Sequence, residues 1–403
     1  MRGEKRRALT LLLAIVLVLS SCQIRFPGST APLLKVGLVA PFEGRFRARG
    51  YEVLYAVRLA VRQWNEAGGV GGYRVELVAL DDSGDVDMAV QQVHELAVDR
   101  DVMGVIGHFV EDTTLAAAPE YVRQGLALVA PGVGAQDLTA SGGVVRLGPS
   151  NCLLGEEAAR YAVEVLSAAR LAVLRDRGEP SSGSLVRAVA PAEGEIGDEG
   201  RSRQSLADAF VAAARQLGGS VVLDESVAGE GWVSRLADAS PDVIFLPLDA
   251  VEGAEAMRQV RQAGVEAIFL GGPALGDQSL IQVGGTWACA IYLAAAPAGL
   301  DLVGGETFVA GYQALAGHPP GSRATLAYEA VHLLLEAIAR AVDQSPRPPR
   351  QPSREAVWQQ LAGGYPREGL LGTLSWGSDG EPVDWPVAIY RIDTLSYPGR
   401  RLR

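Results

Sequence analysis

From Lys35 onward, short apolar runs alternate with longer segments whose apolar residues fall on one face, and this alternation restricts the fold more than any single motif. Lys35–Ala40, Arg74–Leu80, Val102–Ile106 and Ala127–Ala130 have the length and composition of buried strands. Between them, Tyr51–Ala67 places Val53, Leu54, Val57, Ala60, Val61 and Trp64 at helical spacing, and the Gly68–Gly72 cluster ends it. Val86–Val98 and Thr113–Gln124 read as the next two helices. Strands alternating with helices of this length predict parallel sheets covered by helices on both faces. The pattern then restarts, with helices at Gly155–Leu166, Leu206–Leu217, Trp232–Ala239 and Gly253–Ala263. The strands of this second series are Leu171–Leu174, Ser220–Leu223, Val243–Leu246 and Ala267–Leu270. Two successive doubly wound units predict a two-lobed α/β protein. Ser322–Val342 is a long amphipathic helix, and Pro346–Pro352 is a Pro/Arg-rich turn or linker. Residues 175–204 break the rhythm: they are rich in Ser, Gly and Glu, lack apolar periodicity, and predict a flexible insertion.

The N-terminus fixes the compartment. Arg2, Lys5, Arg6 and Arg7 precede an apolar run, Ala8–Leu19, that is shorter than the roughly 20 residues a bilayer span needs. This is the layout of a secretory signal over residues 1–21. Leu19-Ser20-Ser21-Cys22 resembles the lipobox of bacterial lipoproteins. That resemblance implies lipidation of Cys22, with acyl chains holding the chain at a membrane and residues 22–34 serving as the tether. The expected location is therefore extracytoplasmic and membrane-anchored.

Composition narrows the function. The formal net charge is −11, and the part after the basic signal is more acidic still, which opposes nucleic acid as a partner. Lys5 and Lys35 are the only lysines, so no P-loop lysine exists. Besides Cys22, the chain holds Cys152 and Cys289, whose pairing the sequence leaves open. No His-x-x-x-His, Cys-x-x-Cys or Gly-x-Ser-x-Gly occurs, and His94, His108, His318 and His332 are scattered. Neither an enzyme, a metal nor a cofactor is expected.

The order of several short motifs carries a resemblance. Lys35-Val-Gly-Leu-Val-Ala-Pro, Asn65-Glu-Ala-Gly-Gly-Val-Gly-Gly, Leu80-Asp-Asp and Val105-Ile106-Gly107-His108 come first. Leu115-Ala-Ala-Ala-Pro, Ala130-Pro131, Asp137-Leu138-Thr139, Leu206-Ala-Asp-Ala-Phe, Arg258-Gln-Val-Arg and Gly372-Thr-Leu-Ser-Trp follow. Over residues 35–393 this resembles the type I periplasmic binding proteins, in particular the leucine/isoleucine/valine-binding family. The resemblance implies two Rossmann-like lobes joined by three crossover strands and closing on a small ligand. It places lobe one at 35–148 plus 298–368 and lobe two at 149–295 plus 372–398. Ligands of open α/β sheets bind beyond the carboxyl ends of strands, so the loops after Ala40, Ile106, Ala130, Leu246 and Leu270 are expected to line the cleft.

Those loops depart from the amino-acid-binding pattern. Where the family has a serine for the ligand carboxylate, this chain has Glu111, with Asp112 beside it, and an ionised carboxylate cannot donate to another. Thr113 and Thr114 remain as candidate hydroxyl donors. The positions of a backbone carbonyl and a threonine are Gly132 and Gly134, and a lobe-two aromatic is replaced by Asp249. The acidic residue that receives the ligand ammonium falls on Pro273, and the family's lobe-one disulfide positions are Gly84 and Val110. The resulting picture is an acidic cluster (Glu111, Asp112, Asp249) facing Arg45, Arg47 and Arg49. Arginines two apart in an extended loop would point to one side. The function implied is capture of a small polar solute for ABC permease subunits. A sensor or regulator of the cell envelope built on the same fold is the alternative.

Overall fold

The computed structural model describes residues 32–135, 138–139, 142–175, 198–298, 302, 304–344, 351–364 and 366–402; for 198–205 it describes the backbone. The signal, Cys22, most of the tether, Asp137 and residues 176–197 of the expected insertion lie outside the described residues. The segment 198–204 is helical, so the insertion expected over 175–204 ends earlier than its composition implied.

The first sheet contains β1 (Leu33–Ala40), β2 (Arg74–Asp81), β3 (Val102–Gly107), β4 (Leu128–Pro131) and β5 (Val144–Leu147). Their order is β2-β1-β3-β4-β5, and every pairing is parallel. The helices between them are α1 (Arg47–Glu66), α2 (Val86–Val98) and α3 (Glu111–Arg123). Asp85 caps α2 by accepting from the Met88 amide at 2.9 Å. After β5, the chain enters α4 (Asn151–Arg160), capped by Ser150, and passes into a second sheet. Its strands are β6 (Arg170–Arg175), β7 (Ser220–Ser226), β8 (Val243–Leu246), β9 (Ile268–Gly271) and β10 (Ile291–Ala295). The covering helices are α5 (Asp198–Gln216), α6 (Trp232–Ala239), α7 (Ala250–Gln262) and α8 (Gln278–Gly284). At Gly155 an added Cβ would lie 2.7 Å from both Ala209 Cβ and the Leu206 carbonyl, so glycine is what lets α4 pack closely on α5.

The chain then returns to the first core. Helices α9 (Glu306–Ala316), α10 (Ser322–Asp343) and α11 (Arg354–Ala362) pack there, as do Leu374 and Trp376 of the small sheet β11 (Arg367–Gly369), β12 (Gly372–Trp376) and β13 (Pro382–Val383). Helix α10 is apolar on nearly all sides and is the axis of that core. The chain joins the second sheet again at β14 (Ala388–Ile392), antiparallel to β10, with β15 (Arg400–Arg401) at its edge. The second return therefore comes near 388 and not at 372, because Leu374, Trp376 and Trp385 belong to the first hydrophobic core.

Several buried polar groups of the first lobe are paired. His108, fully buried, bonds Asp82 Oδ2 through Nδ1 at 2.7 Å and the Tyr121 hydroxyl through Nε2 at 3.1 Å. Arg367 pairs with Glu329 and, at 2.9 Å, with Glu336. Between α1 and α10, the Trp64 indole donates to His332 Nδ1 at 3.0 Å. Burial holds the His332 pKa down at about 4, helped by the nearby Arg367 charge. The unfolded chain binds this proton near pH 6.5 and the folded chain does not, so the neutral histidine contributes fully above pH 6.5. That contribution is lost as the pH falls towards 4. At about 1.4 kcal/mol per pKa unit, the loss is on the order of 3 kcal/mol. Urea unfolding of wild type and His332→Gln at pH 7 and pH 4.5 checks this. The wild type is expected to lose more stability than the variant, and equal losses contradict the assignment.

Candidate functional site

The arginine run is built differently from the extended loop expected of it. Arg45 lies in a turn, whereas Arg47 and Arg49 open helix α1, so the three do not share a side. Helical spacing instead brings Arg45 and Arg49 together. Their guanidinium groups lie 4.3 and 4.5 Å from the centroid of the Phe46 ring, while Arg47 turns away over Tyr51.

Both members of that pair reach the second lobe. Arg45 lies 3.7 Å from Asp249, which caps α7 by accepting from the amides of Val251 and Glu252. Arg49, 6% exposed, pairs with Asp277 at 3.5 Å and donates to the Ala274 carbonyl at 3.3 Å. Asp277 caps α8 through the Ser279 amide at 2.6 Å. From the first turn of α10, Arg323 donates to the carbonyls of Gly276 and Pro273 at 3.0 and 2.6 Å, and lies 3.9 Å from Glu52. The loop 273–277, which follows β9, is therefore held by two guanidinium groups of the first lobe. Burial pushes the Glu52 carboxyl pKa up, against the lowering effect of Arg323.

Two spaces flank this contact. The outer one, about 540 Å³ including the part open to solvent, is bounded by Arg45, Phe46, Arg49, Asp249, Glu252 and Asp277. The inner one, about 530 Å³ on the same measure, is mostly apolar and is lined by Leu154, Leu293, Leu326 and Tyr390, with Ser322, Arg323 and Tyr397 as polar groups. Gly132 and Pro273 also border the inner space.

The remaining candidates fall elsewhere. Glu111 and Asp112 begin α3, where acidic groups complement the helix dipole, and Asn151 approaches Glu111 at 3.4 Å. Of the three acids of the expected cluster, Asp249 lies against an arginine of the run, while Glu111 and Asp112 stand at the start of α3. Thr113 and Thr114 are corrected as donors: both are fully buried and donate to the Val110 carbonyl inside their own helix turn. The loop after Ile106 likewise turns into the core through His108. The Gly134 carbonyl is engaged by the Asn151 amide at 3.0 Å and by Arg146 at 3.2 Å. An added Cβ at Gly134 would lie 2.2 Å from Asn151 Oδ1. Cys152 and Cys289 are separate, half-buried thiols. Among the described residues, no group of three or more His, Cys, Asp or Glu could hold a metal ion.

Asp277, Ser322, Arg323 and Tyr397 were not singled out by sequence reasoning. Asp277 carries the usual signal of a helix cap ahead of an apolar turn. Arg323 is a charged residue at the start of an otherwise buried helix, but nothing local indicates which lobe it faces.

The sequence profile of the periplasmic binding protein family matches residues 34–396. A Leu/Ile/Val-binding protein homolog of Brucella melitensis is 27% identical over 387 residues, spanning 92% of this chain and 94% of its own. A substrate binding protein of a Streptococcus pneumoniae branched-chain amino acid transporter, solved with isoleucine, superposes with a TM-score of 0.77 at 20% identity. That alignment covers 92% of this chain and 99% of the other. A Rhodopseudomonas palustris solute binding protein, solved with benzoate, gives a TM-score of 0.73 at 18% identity, over 92% and 95% of the two chains.

The two cross-lobe ion pairs are expected to differ in strength. Both partners of Arg49–Asp277 are buried, whereas the Arg45 side chain is 35% exposed. In double-mutant cycles with Ala, read by urea unfolding, Arg49–Asp277 is expected to couple by about 1–3 kcal/mol. Arg45–Asp249 is expected to couple by about 1 kcal/mol or less. Additive effects at Arg49 and Asp277 contradict the pairing.

Proposed function

This chain belongs to the periplasmic binding protein family, and we propose that it captures a small polar solute between its lobes and delivers it to the permease of an ABC importer. Members of this family bind ligands and are not enzymes. The observation that carries the reading is the meeting of loops from the carboxyl ends of parallel strands in both sheets, after β1 and β4 in one lobe and after β8 and β9 in the other. A crevice at that position is where open α/β sheets take ligands. Capture then requires the lobes to part, admit solute, and close again on the contacts that Arg45, Arg49 and Arg323 make across the cleft.

The relatives' names put leucine, isoleucine and valine first among the solutes to test, and the benzoate-bound neighbour adds aromatic acids. By the sequence resemblance, Glu111, Gly134, Asp249 and Pro273 stand where the family uses other residues for amino acids, which argues against carrying that ligand class over. The proposed location is extracytoplasmic, with acyl chains on Cys22 keeping the protein beside its permease.

Thermal unfolding against amino acids, amides, polyamines, carboxylates and sugars tests the central reading. A ligand at 100 times its Kd adds about 2.7 kcal/mol, and at least one solute is expected to raise Tm by a few degrees. No shift across the whole panel contradicts solute capture and favours a protein partner. For the anchor, Cys22→Ser is expected to move the protein from the membrane fraction to the soluble one. An unchanged distribution contradicts lipidation.

A further inference from the structure

The inner space has a chemical asymmetry: among the described residues, those that line it include one cation and no carboxylate. Arg323, 9% exposed, is that cation. A guanidinium carries five N–H donors in a planar fork, and the two carbonyls of loop 273–277 engage one on each terminal nitrogen. Tyr397, 7% exposed, lines the same space, and the charges of Glu52 and Arg323 act on its hydroxyl. The remaining lining is chiefly the apolar bodies of Leu154, Leu293, Leu326 and Tyr390.

We propose that the inner space is the ligand site and that it takes a small carboxylic acid with an apolar body and no amino group, the carboxylate being received by Arg323 and Tyr397. This rests on the solute-receptor reading and names its substrate class. The same geometry opposes an α-ammonium. Of the carbonyls here, those of Pro273 and Gly276 already accept from the Arg323 guanidinium and that of Ala296 from Ser322 at 2.6 Å, which leaves each one lone pair for a further donor. An ammonium would stand beside a guanidinium with no carboxylate lining the space, an arrangement that burial makes costly. Glu52, the acid nearest Arg323, does not line the space, and its burial favours the neutral form, which leaves the arginine charge for the ligand. The outer space, lined by two arginines and three carboxylates, then acts as the entry that opens when Arg49 and Asp277 separate.

Calorimetric titration of the purified protein with matched pairs tests this. The probes are 4-methylpentanoate, its uncharged amide and leucine, which share one branched body, together with benzoate. The expected result is that 4-methylpentanoate or benzoate binds at least about tenfold more tightly than leucine and the amide, as a charge-assisted hydrogen bond requires. Arg323→Gln is expected to weaken that acid about tenfold or more, and Tyr397→Phe about three- to tenfold. Tyr397→Phe keeps the ring that packs in the second core, so it keeps the test open if Arg323→Gln fails to fold. Leucine binding more tightly than both acids overturns the proposed class while leaving the solute receptor intact. Acid binding that neither substitution weakens overturns the site. Binding of some other solute, with neither acid bound, also overturns the class; no binding by any solute removes the underlying reading as well.

Discussion

Two guanidinium groups hold the lobes in register. Arg49 and Arg323 arise from different helices of the first lobe, yet both end on the loop 273–277 of the second. Each is fixed from behind. Phe46 lies under Arg49, and Glu52 lies beside Arg323 while also accepting from the Ala324 amide at 3.3 Å. The helices that carry them are tied to each other by Trp64–His332 and by the Tyr328 hydroxyl on Gln63, at 3.0 and 2.6 Å. Backbone carbonyls as acceptors make this contact independent of side-chain identity at 273, 274 and 276, so the position of the loop is what the arginines read. That position is set by β9 and by the Asp277 cap of α8.

This contact divides the cleft into spaces of different chemistry. Outside it, two arginines face three carboxylates, and solvent weakens their attraction. Inside it, mostly apolar side chains surround one cation, Arg323, with Ser322 and Tyr397 beside it. A ligand that closes such a protein must contribute contacts to both lobes. Tyr397 and Leu293 approach the inner space from the second lobe, and Arg323 and Leu326 from the first.

The sequence shows the fold clearly and the site poorly, for different physical reasons. Strand and helix periods are local, so Lys35–Ala40, Val243–Leu246 and Ser322–Val342 are recognisable from their own residues and correspond closely to β1, β8 and α10. The arginine run misleads because three alternating charged residues fit an extended loop, while the backbone has already begun α1 at Arg47. Thr113 and Thr114 mislead for a related reason, since a hydroxyl in the first turn of a helix can satisfy its own backbone. Asp249 reads as a cleft acid and is also a helix cap, two roles that one residue fills. Arg323 and Tyr397 lie 74 positions apart in the numbering and on different lobes, so only the tertiary fold brings them to one space.

The most direct measurement is the distance between the lobes with and without the two arginines. Spin labels at the exposed positions Val98 in the first lobe and Val283 in the second report it by double electron–electron resonance. The wild type is expected to populate the short distance of the closed arrangement, and Arg49→Ala combined with Arg323→Ala is expected to shift the population to longer distances. The same distribution in both proteins would contradict the account, because the lobes would then be held by something other than loop 273–277.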